Sequence, residues 1–84
     1  MKGTVVHHEH RNGFIVIRDE NGAFAIASLQ GDYDVERGDI VSGALQTSSD
    51  ATLFNHTQDV SMEVLITAIG LSEQDAISQI LGTH

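Results

Sequence analysis

VSMEVLITAI, residues 60–69, is the stretch on which the fold turns. Its even positions, Val60, Met62, Val64, Ile66 and Ala68, are all apolar, while Ser61, Glu63 and Thr67 fall on the odd positions. On a helix, that placing of polar residues would leave an apolar arc too wide for a short surface helix. Period-two alternation with several β-branched residues instead predicts a strand. A strand here gives the chain enough extended segments to close a sheet. A helix here would not.

Working outward, residues 3–8 (GTVVHH) are predicted as a first strand, and the polar run from Glu9 to Asn12, ending at Gly13, as a turn. Residues 14–18 (FIVIR) form a second strand with apolar residues on both faces, as in a closed sheet. DENG at 19–22 predicts a tight hairpin, because Asn21-Gly22 suits positive φ values. Residues 23–29 and 40–45 read as the third and fourth strands, with Gly43 at a bulge. Between them, QGDYDVERGD is a loop whose Tyr33 and Val35 pack inward. QTSSDATLFNHTQD, at 46–59, is read as a polar loop with Leu53-Phe54 docked back on the body. Ser72 then opens a helix over 72–81. Ser72 and Asp75 suit a cap, Glu73 and Asp75 favour the positive helix end, and Gly82 suits the stop. Ala76, Ile77, Ile80 and Leu81 give it one apolar stripe. The expected fold is all-β: a small five-stranded OB-like antiparallel barrel with a short C-terminal helix, a single domain over residues 1–84. Closure also removes the exposed edges that an open sheet of this size would carry.

Composition narrows the functional classes. With 84 residues the chain has room for one core, and its stability is modest. It has no cysteine, which removes disulfides and thiol nucleophiles. No apolar run reaches the roughly 18 residues of a membrane span, and the N-terminus lacks a signal-peptide core, so a soluble cytoplasmic protein without membrane contact is expected. Twelve acidic residues face four basic ones, for a net charge of −8. The basic set is Lys2, Arg11, Arg18 and Arg37, so the chain beyond residue 37 has no Lys or Arg. That distribution opposes strong polyanion binding, which depends on clustered cations displacing counterions.

The opening residues resemble the bacterial cold-shock domain, an OB-fold family. Met1-Lys2-Gly3-Thr4-Val5 is similar to the family's start, His7-His8 stands at its Trp-Phe, and Asn12-Gly13-Phe14-Ile15-Val16-Ile17 aligns with its Lys-Gly-Phe-Gly-Phe-Ile. Ala23-Phe24-Ala25-Ile26-Ala27-Ser28 falls on its second motif, and VERGDIV at 35–41 is similar to the approach to its fourth strand. The likeness covers roughly the first 45 residues; the remaining 39 are not what that family carries. The resemblance implies single-stranded RNA or DNA binding on an aromatic platform, because every base offers a π-face worth about 1–3 kcal/mol. It puts Phe14 and Phe24 at binding aromatics and His7 where a Trp would stand. The basic residues Lys2, Arg11 and Arg18 are expected near the same face as phosphate contacts, the alternative for Arg18 being a surface charge paired with Asp19-Glu20. Val16, Ile26 and Ala27 replace a Phe, a His and a Phe of the family, so weak binding is expected.

Other sites draw less support. In HHEH, at 7–10, His8 and His10 share one strand face and could chelate a metal, but a stable site wants three or four ligands. A strand end and turn is the expected reading, with no metal and no cofactor. No nucleophile elbow, phosphate loop or zincin motif occurs, so no catalytic residue is assigned and no enzyme is expected. The competing reading is a protein-interaction module or homodimer that has lost nucleic-acid binding. It would use its apolar face or its C-terminal helix for the partner, and a homodimer would meet through an exposed patch of Ile15, Val16, Ile17 and Ile26. Exposed aromatics flanked by basic residues favour the first reading, and a flat aliphatic patch the second.

Overall fold

The computed structural model describes residues 1–9, 13–45 and 49–81. Strands β1 (Lys2–Glu9), β2 (Phe14–Asp19), β3 (Phe24–Leu29), β4 (Ile40–Ser42), β5 (Asp50–Asn55) and β6 (Val60–Leu71) precede one helix, α1 (Glu73–Leu81). The strands close into an antiparallel barrel in the order β1-β2-β3-β6-β5-β4, with β4 pairing back onto β1. Residues 60–69 are a strand, as the alternation predicted. Met62, Val64 and Ile66 point into the barrel and are buried, while Ser61, Glu63 and Leu65 face outward.

The barrel has six strands where five were expected. The additional one, β5, falls in the segment read as a loop. Its inward positions carry Ala51, Leu53 and Asn55, so a polar residue interrupts the apolar alternation that marks a strand in sequence. Asn55 is nevertheless fully buried. Its Nδ2 donates to Asp39 Oδ2 at 2.9 Å, and its Oδ1 accepts the Thr57 and Gln58 amides at 3.0 Å each. A buried amide is tolerated when its donors and acceptors are met, and here they also shape the turn into β6, where Asp59 adopts φ 58°.

Asp39 is the second half of that lock. It is only 3% exposed and accepts the Glu36 amide at 3.0 Å and Gln58 Nε2 at 3.2 Å besides Asn55. Burial alone would raise its pKa, but the hydrogen bonds from Asn55, the Glu36 amide and Gln58 outweigh it and hold the carboxyl below its usual value. The Val5 amide donates to the Asp39 carbonyl at 2.9 Å, which carries the lock across to β1.

The interior is filled by Val5, Ile15, Ile17, Ala27, Val41, Leu45, Leu53, Met62, Val64 and Ile66. Val35 and Tyr33 plug the end under the 30–39 loop, and the Tyr33 hydroxyl accepts the Glu63 amide at 3.1 Å. Gly3 is needed where β1 presses on this core, since a Cβ there would lie 2.5 Å from Ile17 Cγ2 and 2.9 Å from the Arg18 carbonyl. At DENG, only Gly22 takes a positive φ. The tight hairpin expected there joins β2 to β3, but an Asx turn shapes it: Asp19 Oδ1 accepts the Asn21 and Ala23 amides at 2.9 and 3.0 Å. Gly43 follows the end of β4, not inside it, with φ 153°.

Candidate nucleic-acid interface

The candidate residues lie on the outer face of β1, β2 and β3, and strand register sorts that face into rows. One row runs Thr4, Arg18, Phe24, Leu71; the next His7, Val16, Ile26, Ala68; the third Glu9, Phe14, Ser28, Leu65. The interior residues Val5, Ile15 and Ile17 alternate with them.

Helix α1 lies across the middle row. Ala76 and Ile80 pack on Val16 and Ile26, and these four form a second buried cluster outside the barrel. Val6, Phe14, Phe24, Ala68 and Leu71 flank it, partly buried. The end of β6 brings the helix there. Its pairing with β3 shifts register twice, between Ile26 and Ala27 and between Phe24 and Ile26. These irregularities turn Ala68 and Leu71 to the outer face although Met62, Val64 and Ile66 face inward. Gly70, at φ 66°, sits at the second shift, where a left-handed residue without Cβ is least strained. Ser72 then caps the helix, its Oγ accepting the Asp75 amide at 3.2 Å, as its sequence suggested. A nine-residue helix is marginal alone, so packing on Val16 and Ile26 is what holds it.

The expected site is thereby divided. Lys2 and Arg18 are exposed and Phe24 is half-buried at one end of the face; Phe14 is half-buried at the other end, opposite Glu9. His7 is half-buried in the middle row, its buried Nε2 without a hydrogen-bond partner among the described residues. Arg11, counted with the basic residues, and His10 lie outside the described residues. The structure joins Lys2, Arg18 and Phe24 and separates Phe14 from them.

The aliphatic patch expected for self-association is not on the surface. Ile15 and Ile17 fill the barrel, Val16 and Ile26 lie beneath α1, and each is at most 3% exposed. Sequence reasoning missed this cover, although its two halves were visible: a helix with one apolar stripe, and a sheet with aliphatic residues on its outward positions.

A cleft of about 410 Å³ adjoins the Arg18 row, lined by Lys2, Gly3, Thr4, Arg18, Asp19, Glu20, Gly22 and Ile40. Among the described residues neither Lys2 nor Arg18 forms an ion pair there. Asp19 is turned into its own turn, and Glu20 Oε1 accepts the Lys2 backbone amide at 3.3 Å. A larger hollow of about 620 Å³ at the barrel end is lined by His8, Asp32, Tyr33, Asp34 and Glu36 among others, and its acidity disfavours a phosphate. His8 Nδ1 is within 2.8 Å of the Val35 carbonyl, and among the described residues no three His, Asp or Glu side chains gather as metal ligands. Ser42 Oγ and His56 Nε2 are 2.8 Å apart on the surface, but among the described residues no carboxylate orients that imidazole. No helix among the described residues is long and apolar enough to cross a membrane. Comparison with known proteins gave no match, whether to family models, curated proteins or solved structures.

Proposed function

We propose that this protein is a non-enzymatic, cytoplasmic binding module of OB type, similar to cold-shock domains, that takes single-stranded nucleic acid weakly. The sixth strand is then an addition to the five of that barrel. One observation carries the reading: Arg18 and Phe24 are register partners on the same outer face, and Lys2 shares a cleft with Arg18. An aromatic ring beside unpaired cations offers a base its stacking surface and a phosphate its counter-charge.

The magnitudes make the interaction slight. One ring contributes about 1–3 kcal/mol of stacking, and two cations give a salt slope of about −1.4 for a single strand. The net charge of −8 opposes both. Dissociation constants no tighter than about tens of micromolar follow from so few contacts. Duplex DNA binds more weakly, because its bases cannot reach the ring. The homodimer reading loses the patch that motivated it, since its aliphatic residues are covered within the chain. Fluorescence anisotropy with a short labelled oligonucleotide tests the proposal. Phe24→Ala should weaken binding several-fold more than Phe14→Ala, and an equal loss for both would return the site to the whole face.

A further inference from the structure

We infer that the Lys2–Arg18 cleft receives the terminal phosphate of a short oligonucleotide, rather than a run of internal phosphates. The inference rests on the nucleic-acid reading and narrows its ligand. Three features of the cleft lead to it.

The first is charge. Lys2 and Arg18 are two of the four basic residues of the chain, and both are exposed in one cleft without an ion pair among the described residues. This occurs although acids outnumber bases threefold and Asp19 and Glu20 line the same cleft. The carboxylates are otherwise engaged, Asp19 by the Asn21 and Ala23 amides and Glu20 by the Lys2 amide. Those amide bonds do not cancel the two negative charges, but they leave neither carboxylate ion-paired with Lys2 or Arg18 among the described residues. A phosphate monoester carries about −1.5 to −2 charges at neutral pH, against one for an internal diester, and matches the two cations better.

The second is extent. The volume of about 410 Å³ suits a unit near one nucleotide, with Thr4 in its lining and Phe24 the register partner of its Arg18. The third is what lies beyond. Along the face, the next row is covered by α1, whose first turn carries Glu73 and Asp75. The remaining described cation, Arg37, lines a different hollow with His7 and Glu36. Among the described residues a longer strand therefore meets the helix and its acidic first turn directly beyond the Arg18 row, where its added phosphates gain no cation.

The test uses the full chain and labelled hexathymidylate in four forms: with a 5′-phosphate, with a 3′-phosphate, with neither, and extended to eighteen nucleotides without a terminal phosphate. Anisotropy at low and moderate salt should show one phosphorylated hexamer binding about tenfold or more tightly than the unphosphorylated one, as charge-assisted hydrogen bonds imply. The 5′ and 3′ arms identify which end is taken. Lys2→Gln and Arg18→Gln should each remove that preference, while Arg37→Gln keeps it. All three positions are exposed, and surface substitutions of this kind rarely disturb folding.

Equal affinity for all hexamers, or a preference that survives Lys2→Gln and Arg18→Gln, would overturn the inference while leaving the nucleic-acid reading intact. A steady gain from six to eighteen nucleotides would do the same. No anisotropy change with any probe up to hundreds of micromolar protein would overturn the reading and the inference together.

Discussion

Replacing Asp39 with Asn removes one charge from the lock between the 36–39 turn, β5 and the 56–59 turn, and changes almost no volume. Three donors converge on Asp39 Oδ2: the Glu36 amide at 3.0 Å, Asn55 Nδ2 at 2.9 Å and Gln58 Nε2 at 3.2 Å. If the new amide places its oxygen there, all three bonds persist as neutral ones. Charge-assisted bonds contribute roughly 1.5–3 kcal/mol each and neutral ones about 0.5–1.5, and the gain is partly offset because burial penalises the charged form. A net loss of about 1–2 kcal/mol is expected from Asp39→Asn at pH 7. For a chain of this size, that corresponds to a fall in Tm of roughly 4–16 °C. The sign with pH follows from the lowered carboxyl. Its contribution is fully present above the unfolded-state value of 3.8 and is lost as pH falls through the lower folded-state value. Urea unfolding followed by circular dichroism from pH 7 to pH 2 should therefore show two lines that converge at the acid end, where the protonated wild-type side chain resembles the amide. A variant as stable as the wild type at pH 7, or a gap that stays constant to pH 2, would refute the account of the lock.

Three further outcomes are expected. Ile80→Ala removes one of the two fully buried anchors of α1 and should cost about 2–4 kcal/mol by urea titration; a loss under 0.5 kcal/mol would mean the helix is not seated on Val16 and Ile26. Gly3→Ala drives a methyl group against Ile17, Leu45 and the Arg18 carbonyl and should cost about 1–3 kcal/mol, read as a lower thermal midpoint. Calorimetric titration with zinc should show no sub-micromolar site, since His8 is turned to the Val35 carbonyl; a tight one-to-one isotherm that disappears in His8→Ala would contradict this.

What could be read from sequence tracks how regular each segment's apolar pattern is. Residues 60–69 announced a strand because three successive inward positions are Met62, Val64 and Ile66. Residues 72–81 announced a helix because Ser72 and the Ala76–Ile80 spacing agree. β5 was hidden because its inward Asn55 depends on Asp39, sixteen residues earlier, and no local pattern reports such a partner. The site was half legible. Spacing indicated which residues share the outer face, but local sequence does not encode where α1 docks. That docking depends on two register shifts near Thr67 and Gly70, which turn β6 against its own alternation. Phe14 and Phe24 therefore looked like one platform and lie at opposite ends of a covered face.

Closure of the barrel has a consequence for how the chain behaves in a crowded solution. Every strand has a neighbour on each side, so among the described residues no strand is a full edge on which another chain could add and begin fibril growth. That protection is unevenly anchored. β4 is only three residues long, yet it joins β1 to β5 and completes the ring. Brief opening at this seam would uncover β1 and β5 together, including the fully buried Val5 and Leu53. A small rim segment thus guards the whole sheet against aggregation.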